Sequence, residues 1–545
     1  MTDPLAARMR WWGWGVEGHD APLPKAAAAL VRDELGAHGA RSHPPALDRV
    51  DLPAAKLTPR TRARLLQTVG AEHVRDDRLT RIAHAAGRSY PDLVRLRSGR
   101  GLRPPDAIVY PGDHDEVAAL LALCAQEAVA VIPFGGGTSV VGGVEPLRGS
   151  FGAAITLDLA RMTGLTALDP RSQLATFAAG TTGPAVERLL GARGLTLGHF
   201  PQSFEFSTVG GWAATRSAGQ ASTGYGRIDE LVVGLRAATP SGELATPSVP
   251  ASAAGPSLRE LLLGSEGVLG VISEVTLRVR PRPAEQRYDA YSLPGFAAGT
   301  DALRALVQGG AAPDLARLSD EEETRVSFAL AARPAAARAL RAYIRGRGQR
   351  TGCLTILGFD GEHAQVARRR ARARSILRCH GAIALGPAPG GAWAKGRFHG
   401  AYVRDELLSR GVLVDTLETA TSWTALAALH RDVGAALRGA LARRGTPAVV
   451  MCHVSHVYPT GASLYFTFLA RQQAGAELQQ WQAAKMAASE VITRAAATIT
   501  HHHGVGTDHA PWLAVEVGEL GLAALRAVKS RVDPAGIMNP GKLLA

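Results

Sequence analysis

Pro133-Phe134-Gly135-Gly136-Gly137-Thr138-Ser139 directly follows the apolar run AVAVI at 128–132. Three adjacent glycines let a backbone pass close to a ligand while its amides turn inward as an anion nest, so this stretch predicts a phosphate-holding loop. It matches neither G-x-G-x-x-G nor G-x-x-x-x-G-K-[ST], which excludes the nicotinamide Rossmann fingerprint and the nucleotide-hydrolysing P-loop. A lone GGG equally serves a turn or bulge, so its meaning rests on its surroundings.

Outward from the loop, residues 103–143 read as short strand, helix over about 115–128, apolar strand and glycine loop. Brief apolar strands follow (AITLDL, LATFAAG, LVVGLRAATPSGEL) until VISEVTLRVRPRP closes an α+β unit over 101–283. Beyond it, helices expected over 302–308, 332–346 and 364–380 alternate with strands CLTILGFDG and AVVMCHVSHVY in a second α/β unit over 284–490. A tail, 491–545, carries THHHGVG. The first hundred residues mix Trp11, Trp12 and Trp14 with Ala/Arg/Leu stretches of helical period and show no evident chemistry. No repeat of fixed period is visible.

The 545 residues exceed what one core usually organises, at about 100–200 residues per domain. With 46% apolar and 20% charged residues the chain is a folded globular one, not a disordered one. Lys+Arg 61 against Asp+Glu 48 gives +13. That excess suits a phosphate-bearing ligand, an anionic membrane surface or nucleic acid, or is an Arg-rich composition spread over solvated faces. Cys124, Cys353, Cys379 and Cys452 form no C-x-x-C pair, so neither a disulfide scaffold nor a cysteine zinc site is indicated, and a reducing cytoplasm fits. No secretory signal, membrane span or peroxisomal signal is seen, so membrane contact is expected to be peripheral.

The glycine loop has companions: Gln202-Ser203-Phe204-Glu205-Phe206-Ser207-Thr208-Val209-Gly210-Gly211, then Thr215-Arg216-Ser217-Ala218-Gly219, Tyr225-Gly226, and Gly264-Ser265-Glu266-Gly267-Val268-Leu269-Gly270-Val271-Ile272. In this order the motifs resemble the FAD-binding domain of vanillyl-alcohol oxidase type flavoproteins. The resemblance implies an α+β fold: a two-subdomain FAD-binding domain and an α/β cap with an antiparallel sheet, preceded by a helical N-terminal region. It assigns these motif residues to FAD. Gly135–Gly137 would cradle the diphosphate, Gly210 and Gly211 would let backbone approach the ring system, and Gly267 and Gly270 would admit the adenosine end. Thr138, Ser139, Ser207 and Thr208 offer hydroxyl donors.

The opening RWWGWG, the run GHFPQSFEFSTVGGWAATRSAG, AYVRD, VYPTGASLYFTF and THHHGVG together resemble alkyldihydroxyacetonephosphate synthases, over residues from about 9 to the end. That family makes the ether bond of ether lipids. The resemblance implies a flavin used without net redox change: flavin N5 attacks C1 of an acyl-dihydroxyacetone phosphate, the fatty acid leaves and a long-chain alcohol takes its place. It assigns Tyr465 as base, and a phenol of ordinary pKa near 10 would need a nearby cation or hydrogen-bond donors for that. Arg404 in AYVRD is implied as a substrate-binding residue and Arg317 in LARLSD as one that activity depends on; Glu418 and Thr419 would face the substrate.

His501, His502 and His503 are expected to place at least two rings in the site as proton carriers or donors. Consecutive residues of a regular strand face opposite ways, so no metal site is expected from them. His453 and His456, three apart on a strand, read as incidental. Departures from the family are Gln202 where animal enzymes carry aspartate, Ser463 in place of a cysteine, and the ending NPGKLL, closer to hydroxy-acid dehydrogenases. The rival readings are an FAD-dependent 2-hydroxy-acid or alcohol dehydrogenase or oxidase, and a catalytically idle lipid-binding flavoprotein. No nucleic-acid module is recognisable, and the oligomeric state stays open, a homodimer included.

Thr138 and Ser139 stand where related flavoproteins tether the ring through histidine, so the expected FAD is non-covalent. Acid precipitation should release all the yellow colour to the supernatant; colour retained in the pellet contradicts this.

Overall fold

A computed structural model describes residues 9–38, 41–331 and 333–544. Residues 1–8, part of the opening in which no secretory signal is seen, and Ala545, at the end in which no peroxisomal signal is seen, lie outside the described residues.

The strand that feeds the glycine loop, Val129–Phe134, lies parallel to Ala153–Asp158, which lies parallel to Ala107–Val109; the short strand Val74–Arg75 closes this sheet antiparallel. Val129–Phe134 and Ala153–Asp158 are almost wholly buried along their length, which is why they read as continuous apolar runs. The helix before the loop runs His114–Gln126: Asp113 caps it by accepting from the Glu116 amide, and Val117, Leu120, Leu121 and Cys124 supply its buried side. An antiparallel sheet of Leu165–Asp169, Leu174–Ala178, Val271–Arg278, Val232–Thr239 and Gly242–Ala245 shares one core with it.

The second sheet system is antiparallel, in the order Ile383–Gly386, Glu285–Leu293, Cys353–Gly361, Leu315–Ser319, Val449–Val454, Gly461–Arg471, Val412–Ser422. Helices Phe296–Gln308, His363–Cys379, Trp423–Arg443 and Glu477–Arg494 belong to its core. The helix expected over 302–308 begins six residues earlier, because Gly295 starts it and Glu321 accepts from the Phe296 amide. The break expected at 490/491 falls inside Glu477–Arg494, whose buried Ala484, Ala488 and Ile492 carry the helix through it.

Both chain ends return to the glycine loop. The tail lies beside strand Val129–Phe134, where the Val131 amide donates to Ile537 O (2.8 Å) and Val131 O accepts from the Asn539 amide (2.8 Å). At the other end, the opening expected to carry no chemistry is clamped to helix Gly400–Ser409. Asp405 Oδ2 accepts from Arg10 Nη2 (3.1 Å) and from the Trp14 amide (2.6 Å), with the Arg10 and Asp405 side chains 4% and 3% exposed. Arg88 Nε donates to Gly13 O, and the Arg88 amide to Ser139 O of the glycine loop (2.6 Å).

Breaking such a buried pair from one side typically costs about 3–5 kcal/mol. Asp405→Ala should therefore lower Tm and expose the segment around residues 9–20 to limited proteolysis; an unchanged cleavage pattern would show that the clamp does not hold it.

Candidate active site

Cross-strand register builds the site. Tyr465 lies directly opposite Glu418 on one neighbouring strand and opposite His453 on the other, and His453 lies opposite Ser319. Directly opposed residues project to the same face, so Glu418, Tyr465 and His453 form a row across the sheet. Thr419, expected to face the substrate, projects to the other face and donates to Thr498 O (2.6 Å).

Glu418 is 1% exposed. Its carboxylate accepts from Thr500 Oγ1 (2.7 Å) and from the amides of His501 (2.6 Å), His502 (3.0 Å) and His503 (2.9 Å). Four donors meet the about four lone-pair sites a carboxylate offers. A strand could not turn three successive amides to one point, so the triplet is a tight turn around the carboxylate and its rings fan outward. Those of His502 and His503 reach Tyr465, at centroid distances of 6.0 Å (20° between planes) and 5.4 Å (85°). On the other side His453 stacks on Tyr465 at 4.8 Å and 21°.

Behind His453, its Nδ1 lies 2.9 Å from Glu323 Oε1 and 3.1 Å from Arg317 Nη2, and Arg317 Nη2 also donates to Glu323 Oε1 (2.9 Å). His456, past the end of strand Val449–Val454, stacks on His501 at 4.9 Å. Neither His453 nor His456 is incidental. The strand ends at Val454, so alternation does not run on from His453 to His456, and His453 shares the register of Tyr465.

Charge follows burial. Burial raises the Glu418 pKa, but the surrounding imidazoles and amides more than reverse this and hold it well below the carboxylate range. Burial lowers His453, His501 and His502, and takes His503 down to about 3, so the rings are neutral at pH 7. Burial pushes Tyr465 up to about 12, against the pull of Thr416 and Arg404. A hydrogen bond with Thr416 and the charge of Arg404 both act in the direction a base requires, and burial outweighs them.

Arg404 donates through Nη1 to Arg88 O (2.8 Å), while its buried Nε and Nη2 have no hydrogen-bond partner. The nearest carboxylate oxygen, Asp405 Oδ1, is 3.9 Å from Nε. A guanidinium with a free edge is a receptor for a phosphate.

The geometry of the glycine loop fits a phosphate-bearing cofactor such as FAD. Among the described residues, the amides of Gly136, Gly137 and Thr138 donate to no protein backbone acceptor, and Gly137 has φ +65°. A Cβ on Gly136 would stand 1.9 Å from Phe206 O, and one on Gly135 2.3 Å from Thr208 Oγ1, so the first two motifs press together where only glycine fits. Pro133 meets Gly267, whose Cβ would be 2.8 Å from its Cγ, and Phe134 packs under Gly137. Ser139 Oγ, Ser207 Oγ and Thr208 Oγ1 accept bonds from Gly143 N, Trp212 Nε1 and Gly211 N, which leaves each hydroxyl proton free to donate.

Several motif side chains also have partners within the protein. Glu266 accepts from the Val505 (2.5 Å) and Gly506 (2.7 Å) amides, and burial raises its carboxyl to about 7. Arg216 ends helix Val209–Thr215 and binds Leu263 O and Glu260. Tyr225 donates to Asp360 (2.8 Å), Glu205 accepts from Tyr402, Gln202 from Gln220, and Phe204 stacks on Phe398 at 5.5 Å. Thr215 bonds Gly211 O; Ser217, Ala218, Val268, Leu269, Val271 and Ile272 are buried.

Two family models match the chain: "FAD binding domain" over residues 105–247 and "FAD linked oxidases, C-terminal domain" over 282–543. The fold and the loop define an FAD-dependent flavoprotein of the FAD-linked oxidase class. Alkyldihydroxyacetonephosphate synthase of Dictyostelium discoideum is 33% identical, covering 99% of this chain and 94% of that one. The Trypanosoma brucei brucei synthase is 34% identical over 88% of this chain and 80% of its own length. A solved alkyldihydroxyacetonephosphate synthase, in P212121, superposes with TM-score 0.87 at 30% identity over 99% of both chains. The chain belongs to the alkyldihydroxyacetonephosphate synthase family.

His503 gives the site a pH signature. Its folded pKa, about 3, lies below its ordinary 6.5, so the unfolded chain binds a proton the folded one refuses. Its contribution to stability is complete above pH 6.5 and is lost as pH falls from there toward 3. Between pH 7 and 4.5 the Tm of His503→Asn should fall less steeply than that of wild type; parallel slopes would contradict a buried neutral imidazole.

Proposed function

We propose that the chain exchanges the acyl group of acyl-dihydroxyacetone phosphate for a long-chain fatty alcohol, forming an ether bond without net oxidation or reduction. The observation that carries this reading is Tyr465 packed between neutral imidazoles, with the free edge of Arg404 near enough to act on its pKa.

Arg404 binds the phosphate of the substrate and so orients its carbon chain. The glycine loop holds the FAD diphosphate, without a covalent tether. Bound FAD supplies a nucleophilic ring nitrogen to the carbon at which the oxygen substituents exchange. The C1 proton, acidified by the adjacent ketone, is lost to Tyr465. A phenol near pKa 12 accepts it only if its own proton moves on, and the imidazoles are the acceptors at hand. Glu323, 2.9 Å from His453 Nδ1, and Glu418, 3.6 Å from His502 Nδ1, are the anions that stabilise a transient imidazolium. Arg317 keeps the Glu323 carboxylate in place. Thr419 serves the tail rather than the substrate.

The acyl and alkyl chains make a peripheral encounter with an anionic lipid surface part of this reading. No described helix is long and apolar enough to cross a membrane. Val515 (63% exposed) and Leu520 (85%) flank the non-helical Gly518 in Leu513–Val532, whose last turn carries Lys529 and Arg531. Net charge of +13 adds long-range attraction.

Under anaerobic conditions, with labelled hexadecanol and acyl-dihydroxyacetone phosphate and no electron acceptor, ether product should form. Tyr465→Phe should reduce the rate by about 10²–10⁴-fold with FAD content unchanged. An absolute need for an electron acceptor, or an unchanged rate in the variant, contradicts the proposal. Binding to anionic vesicles should weaken with salt and in Leu520→Asp; indifference to both would remove the membrane from the account.

A further inference from the structure

His456, His501 and His502 form a cluster that ether formation does not require as a unit. The three rings touch pairwise: His456 and His501 at 4.9 Å, His456 and His502 at 5.1 Å, His501 and His502 at 5.3 Å between centroids. Each offers one ring nitrogen within 4.8 Å of the other two. Residues 501–503 form a turn around Glu418 rather than a regular strand, so alternation does not keep these rings apart.

Two of the three outer nitrogens are already engaged. His456 Nδ1 lies 2.6 Å from Ser222 Oγ, and His501 Nε2 lies 2.7 Å from Tyr458 OH. This orientation by a hydrogen bond on the far nitrogen is what metal-bound histidines show. It leaves His456 Nε2 and His501 Nδ1 as ligands, and His501 Nδ1 is 3.0 Å from His502 Nδ1. Zn–N bonds of about 2.0–2.1 Å put tetrahedral ligand nitrogens about 3.3 Å apart. Glu418 Oε2, 3.6 Å from His502 Nδ1, brings negative charge to the cluster. Arg227, the cation that acts on the cluster, is paired with Asp229 (3.1 Å).

We propose that His456, His501 and His502 form a three-histidine site for a borderline divalent cation of the Zn²⁺ type, and that the occupied form is inactive. Bound metal takes the lone pair of His502, the member of the cluster that faces Tyr465. The binding half stands on geometry alone; the inhibitory half rests on the ether-forming reading above.

The test uses chelator-treated, FAD-loaded enzyme titrated with ZnCl₂, read by calorimetry and by metal content after gel filtration, with CoCl₂ as a spectroscopic probe. One zinc per chain is expected, with Co²⁺ giving the visible bands of a four- or five-coordinate site. Ser222→Ala, which removes only the outer hydrogen bond, should weaken zinc by about tenfold or more, and His456→Asn by at least as much. Flavin absorbance and Tm report whether each variant is folded. No retained zinc, or wild-type affinity in both variants, would overturn the site. One zinc per chain without EDTA-reversible loss of turnover would overturn the inhibitory half.

Discussion

One buried carboxylate organises the functional end of this protein. Glu418, on a cap strand, receives the Thr500 hydroxyl and three successive histidine amides. An uncompensated charge at 1% exposure would be costly, and four donors supply the compensation. The geometric result is a turn that no helix or strand allows, with the side chains of His501, His502 and His503 thrown outward. Because Glu418 also faces Tyr465 across the strand pair, the group that shapes the turn sets the distance from histidines to phenol.

A second buried carboxylate completes the hold from the other side. Glu266, in the motif after the FAD-region helices, receives the Val505 and Gly506 amides. Residues 500–506 are thus gripped from the cap and from the FAD-binding half, and the two grips differ. The imidazoles and amides keep Glu418 ionised to low pH, whereas burial leaves Glu266 at about 7. Arg404 is located by a comparable chain of bonds, through Arg88 O, while the Arg88 amide holds Ser139 O. Glycine loop, Arg404 and histidine turn are therefore one connected structure.

Much of the fold was legible because its signals are local. The glycine loop after AVAVI, the uninterrupted apolar strands of a parallel sheet and the Ala/Arg-rich helices each speak through neighbours in sequence. Tyr465, Arg404 and the triplet were reached through a family resemblance, and composition alone would not have singled them out. What stayed hidden depends on pairing between distant segments. His453 meets Tyr465 only through strand register, His456 meets His501 only because the strand stops at Val454, and Thr419 differs from Glu418 only by the alternation of one strand. Glu266 and Arg216 sit inside cofactor motifs yet serve the protein's own joints, a distinction a motif cannot make.

The central claim, that Glu418 creates the histidine turn, is tested most directly by amide hydrogen exchange at His501–His503 in FAD-loaded wild type and Glu418→Gln. An amide side chain presents one acceptor oxygen where the carboxylate presents two, so exchange at these three amides should rise by about tenfold or more while the Val505 and Gly506 amides, held by Glu266, stay protected. Unchanged protection across 501–503 in the variant would contradict the account.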